Sequence, residues 1–308
     1  MNGYGLVFLA AVLWGLIGLF SKGILAAGVG PLELAFWRAA LAGGMFVVHA
    51  ALTKRLRLKG WRDLLALAGF SLVGVTLFYA SYTLAVQTGG VSLASILLYS
   101  APAFVALAAR FFLGEGLTRR KLGLLSLTLI GVVLVAQGGG SGVNVTGLSL
   151  FWGVTAALSY SSYYLFGKWA LASYTPVTIY AFVLPLGAVG LTPLVSFSPK
   201  SPEVWGLLFL LAAVSTYAAY ALYYTGLKRV EASRAVLVAS VEPVVAALTA
   251  ALVFGERLGF WGLAGGACIL TAALLASLPP RAPGRKVQPH PGEEENPKDH
   301  KERSVIAP

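Results

Sequence analysis

Residues 92–123 read SLASILLYSAPAFVALAARFFLGEGLTRRKLG, and residues 232–266 read ASRAVLVASVEPVVAALTAALVFGERLGFWGLAGG. Each stretch carries one proline inside a long apolar run that ends in Gly-Glu. Pro102 and Pro243 are 141 residues apart, and so are the Gly-Glu pairs that begin at Gly114 and Gly255. The runs reach the ~20 residues that an α-helix needs to cross a bilayer. The pattern therefore predicts membrane-spanning helices in two related copies.

The composition excludes a water-soluble globular protein. Of the 308 residues, 57% are hydrophobic and 11% are charged, and the mean hydropathy is +0.79. Soluble domains carry roughly 25% charged residues, so this chain cannot cover a water-facing surface. Its net charge of +11 lies mainly in short loops between apolar runs, which is typical of membrane topology. We therefore expect contact with the lipid bilayer and no nucleic-acid partner.

Ten apolar runs are long enough to cross a hydrocarbon core of about 30 Å. They cover residues 3–25, 31–52, 64–86, 91–113, 119–137, 147–168, 176–196, 204–226, 232–254 and 258–278. Lys and Arg are concentrated in alternate loops, which by the positive-inside rule places both termini in the cytoplasm. The prediction is a multi-pass protein of the cell (plasma or inner) membrane.

An internal repeat relates the two halves of the chain. The aligned pairs include Tyr79 with Tyr220, Tyr82 with Tyr223 and, at a slightly different offset, Trp14 with Tyr160. The predicted organisation is a first five-helix repeat at 1–137, a linker loop at 138–146, a second five-helix repeat at 147–278 and a disordered cytoplasmic tail at 279–308. Because five is odd, the second copy enters the membrane from the opposite side. The expected fold is an all-α polytopic membrane protein with ten transmembrane helices as two inverted repeats, an arrangement typical of transporters.

Two further segments, AAVLWGLIGLFSKGIL at 10–25 and LAFWRAALAG at 34–43, complete a resemblance to the EamA-type members of the drug/metabolite transporter superfamily. The resemblance covers residues 3–278. It implies a ten-helix carrier with a central cavity, no use of ATP, and export of amino acids or other small metabolites. The chain departs from many members after the Trp-Gly of the first span, where Leu16 and Ile17 replace more polar residues.

Two carboxylates, Glu33 and Glu242, fall within predicted spans. Glu242 lies ten residues into its span, ~15 Å deep, where an ionised group costs roughly 2.5–3.5 kcal/mol on insertion scales. It is predicted to contact a substrate amino group or to exchange a proton, and a carboxylate that locks two helices is the alternative. Glu33 and Arg38 point about 140° apart on one helix. Both are interpreted as structural charges, with the partner of Arg38 expected on another helix.

The remaining candidates are aromatic, hydroxyl and proline side chains. Substrate contacts beside Glu242 are predicted for Trp14, Ser95, Tyr99, Tyr160 and Ser240. Tyr79 and Tyr82 are predicted to gate the outer mouth, and Tyr220 and Tyr223 the inner mouth; an interfacial aromatic belt is the alternative. Pro102 and Pro243 are expected inside helices, where they would displace the carbonyls of Leu98 and Ala239 and form a hinge or cavity wall, or a simple kink.

The function that these features favour is a secondary or facilitative carrier that exports amino acids or related small metabolites by alternating access. Uptake by the same fold, or a channel, is the alternative. A membrane enzyme is disfavoured because no catalytic constellation is evident, and no phosphate-binding loop indicates ATP hydrolysis. The single cysteine, Cys268, excludes an intrachain disulfide and a cysteine metal site. The expected partners are a small-molecule substrate and lipid, with no cofactor and no metal. Gly262 and Gly266 could form a dimer contact, but packing within a monomer is favoured and the oligomeric state stays open.

Overall fold

The computed structural model describes residues 2–138, 145–255 and 259–278, and the described chain is built of helices without a β-strand. Most of the predicted linker at 138–146, and the whole predicted tail at 279–308, lie outside these ranges. The α-helices are α1 Gly3–Gly15, α2 Ile17–Ala26, α3 Pro31–Leu52, α4 Trp61–Phe70, α5 Phe78–Leu98, α6 Ala101–Phe112, α7 Arg119–Gly138, α8 Gly147–Ala170, α9 Pro176–Leu191, α10 Pro202–Ala212, α11 Ala219–Leu227, α12 Ala232–Ala239, α13 Glu242–Phe254 and α14 Phe260–Ser277. A π-helical segment, Ser71–Leu77, joins α4 to α5, and a second one, Ala213–Ala218, joins α10 to α11.

Eight helical stretches of the described chain are long and apolar enough to cross a membrane. They are Gly3–Ala26, Pro31–Leu52, Trp61–Gly90, Leu93–Phe112, Pro176–Leu194, Pro202–Leu227, Ala232–Val253 and Phe260–Ser277. Large apolar side chains on their outer faces are exposed, such as Phe111, Phe112 and Leu252. A surface of this kind is suited to lipid and not to water. The protein is therefore a multi-pass membrane protein.

Two more helices have the length of a span. Helix α7 has 20 residues and α8 has 24, which at 1.5 Å per residue is about 30 Å or more. Helix α8 is less apolar because it carries several serines and tyrosines. Most of these are buried inside the protein, among them Ser159, Ser161, Tyr163 and Tyr164, so they do not meet lipid.

The helices are interrupted at places that hydropathy did not reveal. The first predicted span, 3–25, is broken at Leu16, between α1 and α2. The predicted position of Pro102 and Pro243 inside helices is wrong, because each proline lies in the first turn of a new helix, α6 or α13. Proline is suited to a first turn because its missing N–H would have no partner there. The helix before each proline has already ended, so no interior carbonyl is displaced by its ring.

The same backbone features recur at a spacing of 141 residues. Helices α5 and α12 end at Leu98 and Ala239, and α6 and α13 begin at Ala101 and Glu242. The two π segments begin at Ser71 and Ala213, within one residue of this spacing. Each Gly-Glu motif places its glycine in the left-handed region, with φ of 69° at Gly114 and 68° at Gly255, a conformation that favours glycine at a helix end. The repeat seen in the sequence thus extends to the backbone.

Four pairs of helices form the main contacts: α1 with α11, α8 with α5, α3 with α9, and α7 with α14. Glycines allow the backbones to approach closely. A Cβ on Gly226 of α11 would lie 2.6 Å from the carbonyl oxygen of Gly3, and one on Gly131 of α7 would lie 2.8 Å from that of Gly265. Small residues serve this purpose in membrane helices. Gly266 likewise faces Val244 of the same chain, so this part of α14 packs within the chain.

Candidate functional site

A cavity of about 60 Å³ lies among the interrupted helices. Its wall is mostly aromatic and includes one arginine and one glutamate. The lining residues are Trp14, Ile17, Arg38, Phe78, Leu98, Tyr160, Tyr163, Tyr164, Tyr220, Tyr223 and Glu242. A space of this size holds a few water molecules. Mostly apolar walls with a few convergent polar groups are typical of small-molecule sites.

Glu242 is the first residue of α13 and faces the cavity. The side chains of Tyr99 and Tyr160 lie near its carboxylate, as potential hydrogen-bond donors. Tyr99 lies in the break between α5 and α6, which is the repeat-related counterpart of the break before α13. A carboxylate at a helix N-terminus is also stabilised by the helix dipole. The carboxylate of Glu242 thus lies at a helix N-terminus on the cavity wall, beside two tyrosines.

Arg38 of α3 lies on the cavity wall and is 8% exposed. Its Nε donates to Thr216 Oγ1 at 2.7 Å, and one of its Nη atoms lies 3.5 Å from the carbonyl oxygen of Ser215. Both acceptors belong to the π segment between α10 and α11. The guanidinium carbon lies 5.7 Å from the centre of the Tyr79 ring. Arg38 is therefore tethered to another helix, as expected, but its place on the cavity wall was not predicted.

Trp14 lies at the end of α1, where the chain breaks, and its ring contacts two tyrosines of α11. The ring centres are 5.6 Å from Tyr220 and 5.0 Å from Tyr223. Among the described residues, the Trp14 Nε1 and the Tyr223 hydroxyl are buried without a hydrogen-bond partner. Buried polar groups in proteins are usually satisfied. The Tyr163 hydroxyl is a third such group, so three residues of this cavity wall carry a polar group without a partner in the described chain.

The four tyrosines predicted as gates do not form two separate clusters. Tyr220 and Tyr223 line the cavity, and Tyr79 packs on Arg38. Tyr82 lies close by, with its ring centre 6.3 Å from that of Phe78. The structure brings all four to the cavity or its immediate surroundings because α5 and α11 both pass beside it. The predicted separation into an outer and an inner cluster is not what the structure shows.

The two predicted serines are placed differently from expectation. Ser240 donates to the carbonyl oxygen of Val236 in its own helix at 2.9 Å and is buried away from the cavity wall. Ser95 lies near the side chain of Tyr82 and does not line the cavity. Tyr99 also does not line the cavity, although it lies near Glu242. Of the six predicted substrate contacts, Trp14, Tyr160 and Glu242 line the cavity.

Sequence reasoning missed Tyr163 and Tyr164 of α8. Tyr164 donates to the Tyr160 hydroxyl at 3.1 Å, and the Tyr163 ring stacks on Tyr220 with centres 5.8 Å apart. The signal was present in the segment SYSSYYLF at 159–166. Positions three and four residues apart share a helix face, so this spacing could have identified one tyrosine-lined face.

Glu33 lies in the first turn of α3, five residues before Arg38, and does not line the cavity. Its carboxylate forms an ion pair with Lys200 and accepts from the backbone N–H of Ser198 at 3.0 Å and from its hydroxyl at 2.8 Å. The Glu33 and Lys200 side chains are 1% and 3% exposed. The Lys200 ammonium also lies 5.3 Å from the centre of the Trp37 ring. Glu33 thus ties the segment before α10 to α3.

Comparison with known proteins gives a consistent family match. The model of the EamA-like transporter family matches residues 1–137 and 147–278. An uncharacterized transporter of Archaeoglobus fulgidus is 32% identical over 277 residues, which cover 89% of this chain and 96% of that protein. The uncharacterized inner membrane transporter YicL of Salmonella typhimurium is 25% identical over 293 residues, which cover 91% and 96% of the two chains. A protein crystal structure with 19% identity superposes with a TM-score of 0.75 over 89% of this chain and 96% of the other; this likeness concerns the fold alone.

Proposed function

Because the chain belongs to the EamA-like transporter family, we propose that it is a secondary or facilitative carrier that exports amino acids or related small metabolites by alternating access. The observation that carries this proposal is the cavity among the broken helices, with Glu242 and Arg38 on its wall. The carboxylate of Glu242 offers a partner for a substrate ammonium group, and the aromatic wall offers apolar and cation–π contacts.

The proposal includes ten spans arranged as two inverted five-helix repeats, at residues 1–137 and 147–278. The eight apolar spans together with α7 and α8 supply the ten helices. The helix contacts support a pseudo-two-fold relation, since α1 packs on α11 as α8 packs on α5, while α3 and α7 pack on their own counterparts, α9 and α14. Sites at the interface of such repeats are a general feature of carriers. Both termini would lie in the cytoplasm, and the protein in the cell membrane.

The transport cycle requires the cavity to enlarge, since about 60 Å³ is too little for a metabolite. The breaks before Pro102 and Pro243 are the proposed hinges. Tyr79, Tyr82, Tyr220 and Tyr223 are the proposed gating residues, because they surround the cavity on α5 and α11. Trp14 and Tyr160 would flank the substrate. Ser95, Tyr99 and Ser240 act from behind the wall in this proposal, through Tyr82, Glu242 and the end of α12.

The experiment is counterflow in liposomes that contain the purified full-length protein. Each of the twenty L-amino acids is loaded inside, and uptake of the same labelled amino acid is followed, with protein-free liposomes as the control. Saturable uptake that is accelerated by internal substrate supports a carrier. Flux that rises linearly with concentration, without acceleration, would indicate a channel. Absence of flux for all twenty would refute the amino-acid assignment.

A further inference from the structure

The guanidinium of Arg38 has donors that the protein does not use. A guanidinium carries five N–H groups. In the described part of the chain, Nε bonds to Thr216 Oγ1 at 2.7 Å, and the atom Nη2 approaches the Ser215 carbonyl oxygen at 3.5 Å. Both contacts leave from the same edge of the group. The end formed by the two Nη atoms therefore stays available, in the geometry that binds a carboxylate through two parallel hydrogen bonds.

The charge of Arg38 is also not balanced by direct contact. No carboxylate of the described chain forms an ion pair with it. Glu242 lies on the same cavity wall and attracts Arg38 electrostatically, but it does not form an ion pair with it. A buried cation without a close counter-charge is costly, and such groups in membrane proteins usually mark a functional site. The cavity between the two groups is therefore suited to an anion on the Arg38 side.

We propose that Arg38 binds the carboxylate of the transported molecule and that Thr216 positions its guanidinium. The transported class is then a zwitterion, with its carboxylate on Arg38 and its ammonium on Glu242. The Trp14 Nε1 and the Tyr223 hydroxyl, both unpartnered on the same wall, add donors for the anionic or polar part. This inference rests on the proposed transport function and adds to it the residue that recognises the negative charge of the substrate.

Thr216 is a positioning residue that acts through Arg38. Its hydroxyl is buried and accepts from Nε, which holds the edge formed by Nε and Nη2 against the π segment. Because Thr216 belongs to the segment that joins α10 to α11, a movement of that segment also moves the guanidinium. Lysine could not replace Arg38, since a single ammonium cannot both bond to Thr216 and present two parallel donors.

The test compares each L-amino acid with its own carboxamide, which keeps the ammonium and side chain but loses the negative charge. In wild-type proteoliposomes, the acid should compete for counterflow at a concentration about tenfold or more below that of the amide, as expected for a charge-assisted hydrogen bond. Arg38→Gln should remove this preference. Thr216→Val should weaken acid binding several-fold without affecting the amide, whereas Thr216→Ser should behave as wild type.

The outcomes separate the two proposals. An active wild-type protein that accepts the amide as well as the acid would overturn the role of Arg38 and leave transport standing. Retention of the acid preference by folded Arg38→Gln would do the same. A wild-type protein that neither transports nor binds any of the twenty amino acids would refute the proposed function together with this inference. Size-exclusion profiles establish that each variant is folded, and the wild-type acid–amide comparison needs no variant.

Discussion

The start of α13 at Glu242 places a carboxylate, two tyrosine hydroxyls and a helix N-terminus together inside the membrane. Each of these would be costly there alone. Together they place the carboxylate on the wall of the cavity with two potential donors nearby. Depth in the span was readable from the sequence, and so was the need for a partner. The position of Tyr99 beside Glu242 could not be read from the sequence, because it depends on two helix breaks meeting in space.

Substitution of Glu242 by glutamine tests its proposed role as the ammonium contact. Glu242→Gln keeps the size and much of the hydrogen bonding but removes the charge, so the half-saturation concentration for amino acids should rise about tenfold to a hundredfold. Counterflow measured over a range of concentrations checks this. Glu203→Gln, at an exposed carboxylate in the first turn of α10, is the matched control. Unchanged transport with unchanged pH dependence would remove Glu242 from the mechanism.

The contact between Gly226 and Gly3 leaves no room for a methyl group. In Gly226→Ala, the new Cβ would lie 2.6 Å from the Gly3 carbonyl oxygen and 2.9 Å from Val7. Overpacking of this kind costs about 1–3 kcal/mol, so the thermal unfolding temperature in detergent should fall. Gly206→Ala, on α10, meets no atom within 4 Å and should unfold no earlier than wild type. Equal unfolding temperatures for the two variants would show that α1 and α11 can separate freely here.

At the scale of the elements, short breaks determine where the site lies. The interruptions at Leu16, Tyr99–Ser100 and Ser240–Val241 place Trp14 and Glu242 at helix ends beside the cavity. Hydropathy located the spans but not the breaks, because two residues outside the helix leave the mean hydropathy almost unchanged. For a related reason, the sequence predicts only a structural tether for Arg38 and not its place on the cavity wall. Its orientation is set by Thr216, 178 residues away, in a π segment that no local pattern predicts.

The buried ion pair of Glu33 and Lys200 anchors the segment that leads into α10. Lys200→Met leaves the Glu33 carboxylate without its counter-charge, and breaking a buried pair in this way costs about 3–5 kcal/mol. We expect a clear fall in the thermal unfolding temperature, partly recovered in the double variant Glu33→Gln with Lys200→Met. Lys228→Met, at an exposed position after α11, is the control. If Lys200→Met and Lys228→Met unfold alike, the pair contributes nothing to stability.

On the scale of the whole molecule, the repeat relates contacts as well as sequence. When the two halves are exchanged, the pair α1 and α11 corresponds to the pair α8 and α5. The pairs α3 with α9 and α7 with α14 each correspond to themselves. This consistency could be anticipated from the aligned tyrosines, prolines and Gly-Glu motifs. The convergence of Tyr79 and Tyr220 on one cluster could not be anticipated. A sequence indicates the depth of a residue in its span but not the angle at which two spans cross.

Accessibility labelling tests the inverted topology. In a Cys268→Ser background, single cysteines are placed at five exposed positions: Gly30, Lys54, Arg119, Glu203 and Lys228. A membrane-impermeant maleimide should label positions 30 and 203 in intact cells, and positions 54, 119 and 228 only after permeabilisation, because the basic loops lie inside. Labelling of positions 54 and 119 from opposite faces would be incompatible with two inverted five-helix halves.

Under the proposed export function, the small size of the cavity would have a physiological consequence. In the resting state the cavity has space for water alone, so only the fraction of molecules that is already open can bind substrate. The apparent affinity is lower than the intrinsic affinity by that fraction. A carrier with this property would be nearly idle at the low internal concentrations that metabolism needs to conserve. Its rate would climb once the solute accumulates. In the cell the protein would then export the solute mainly when its internal concentration is high, and would not deplete it at ordinary concentrations.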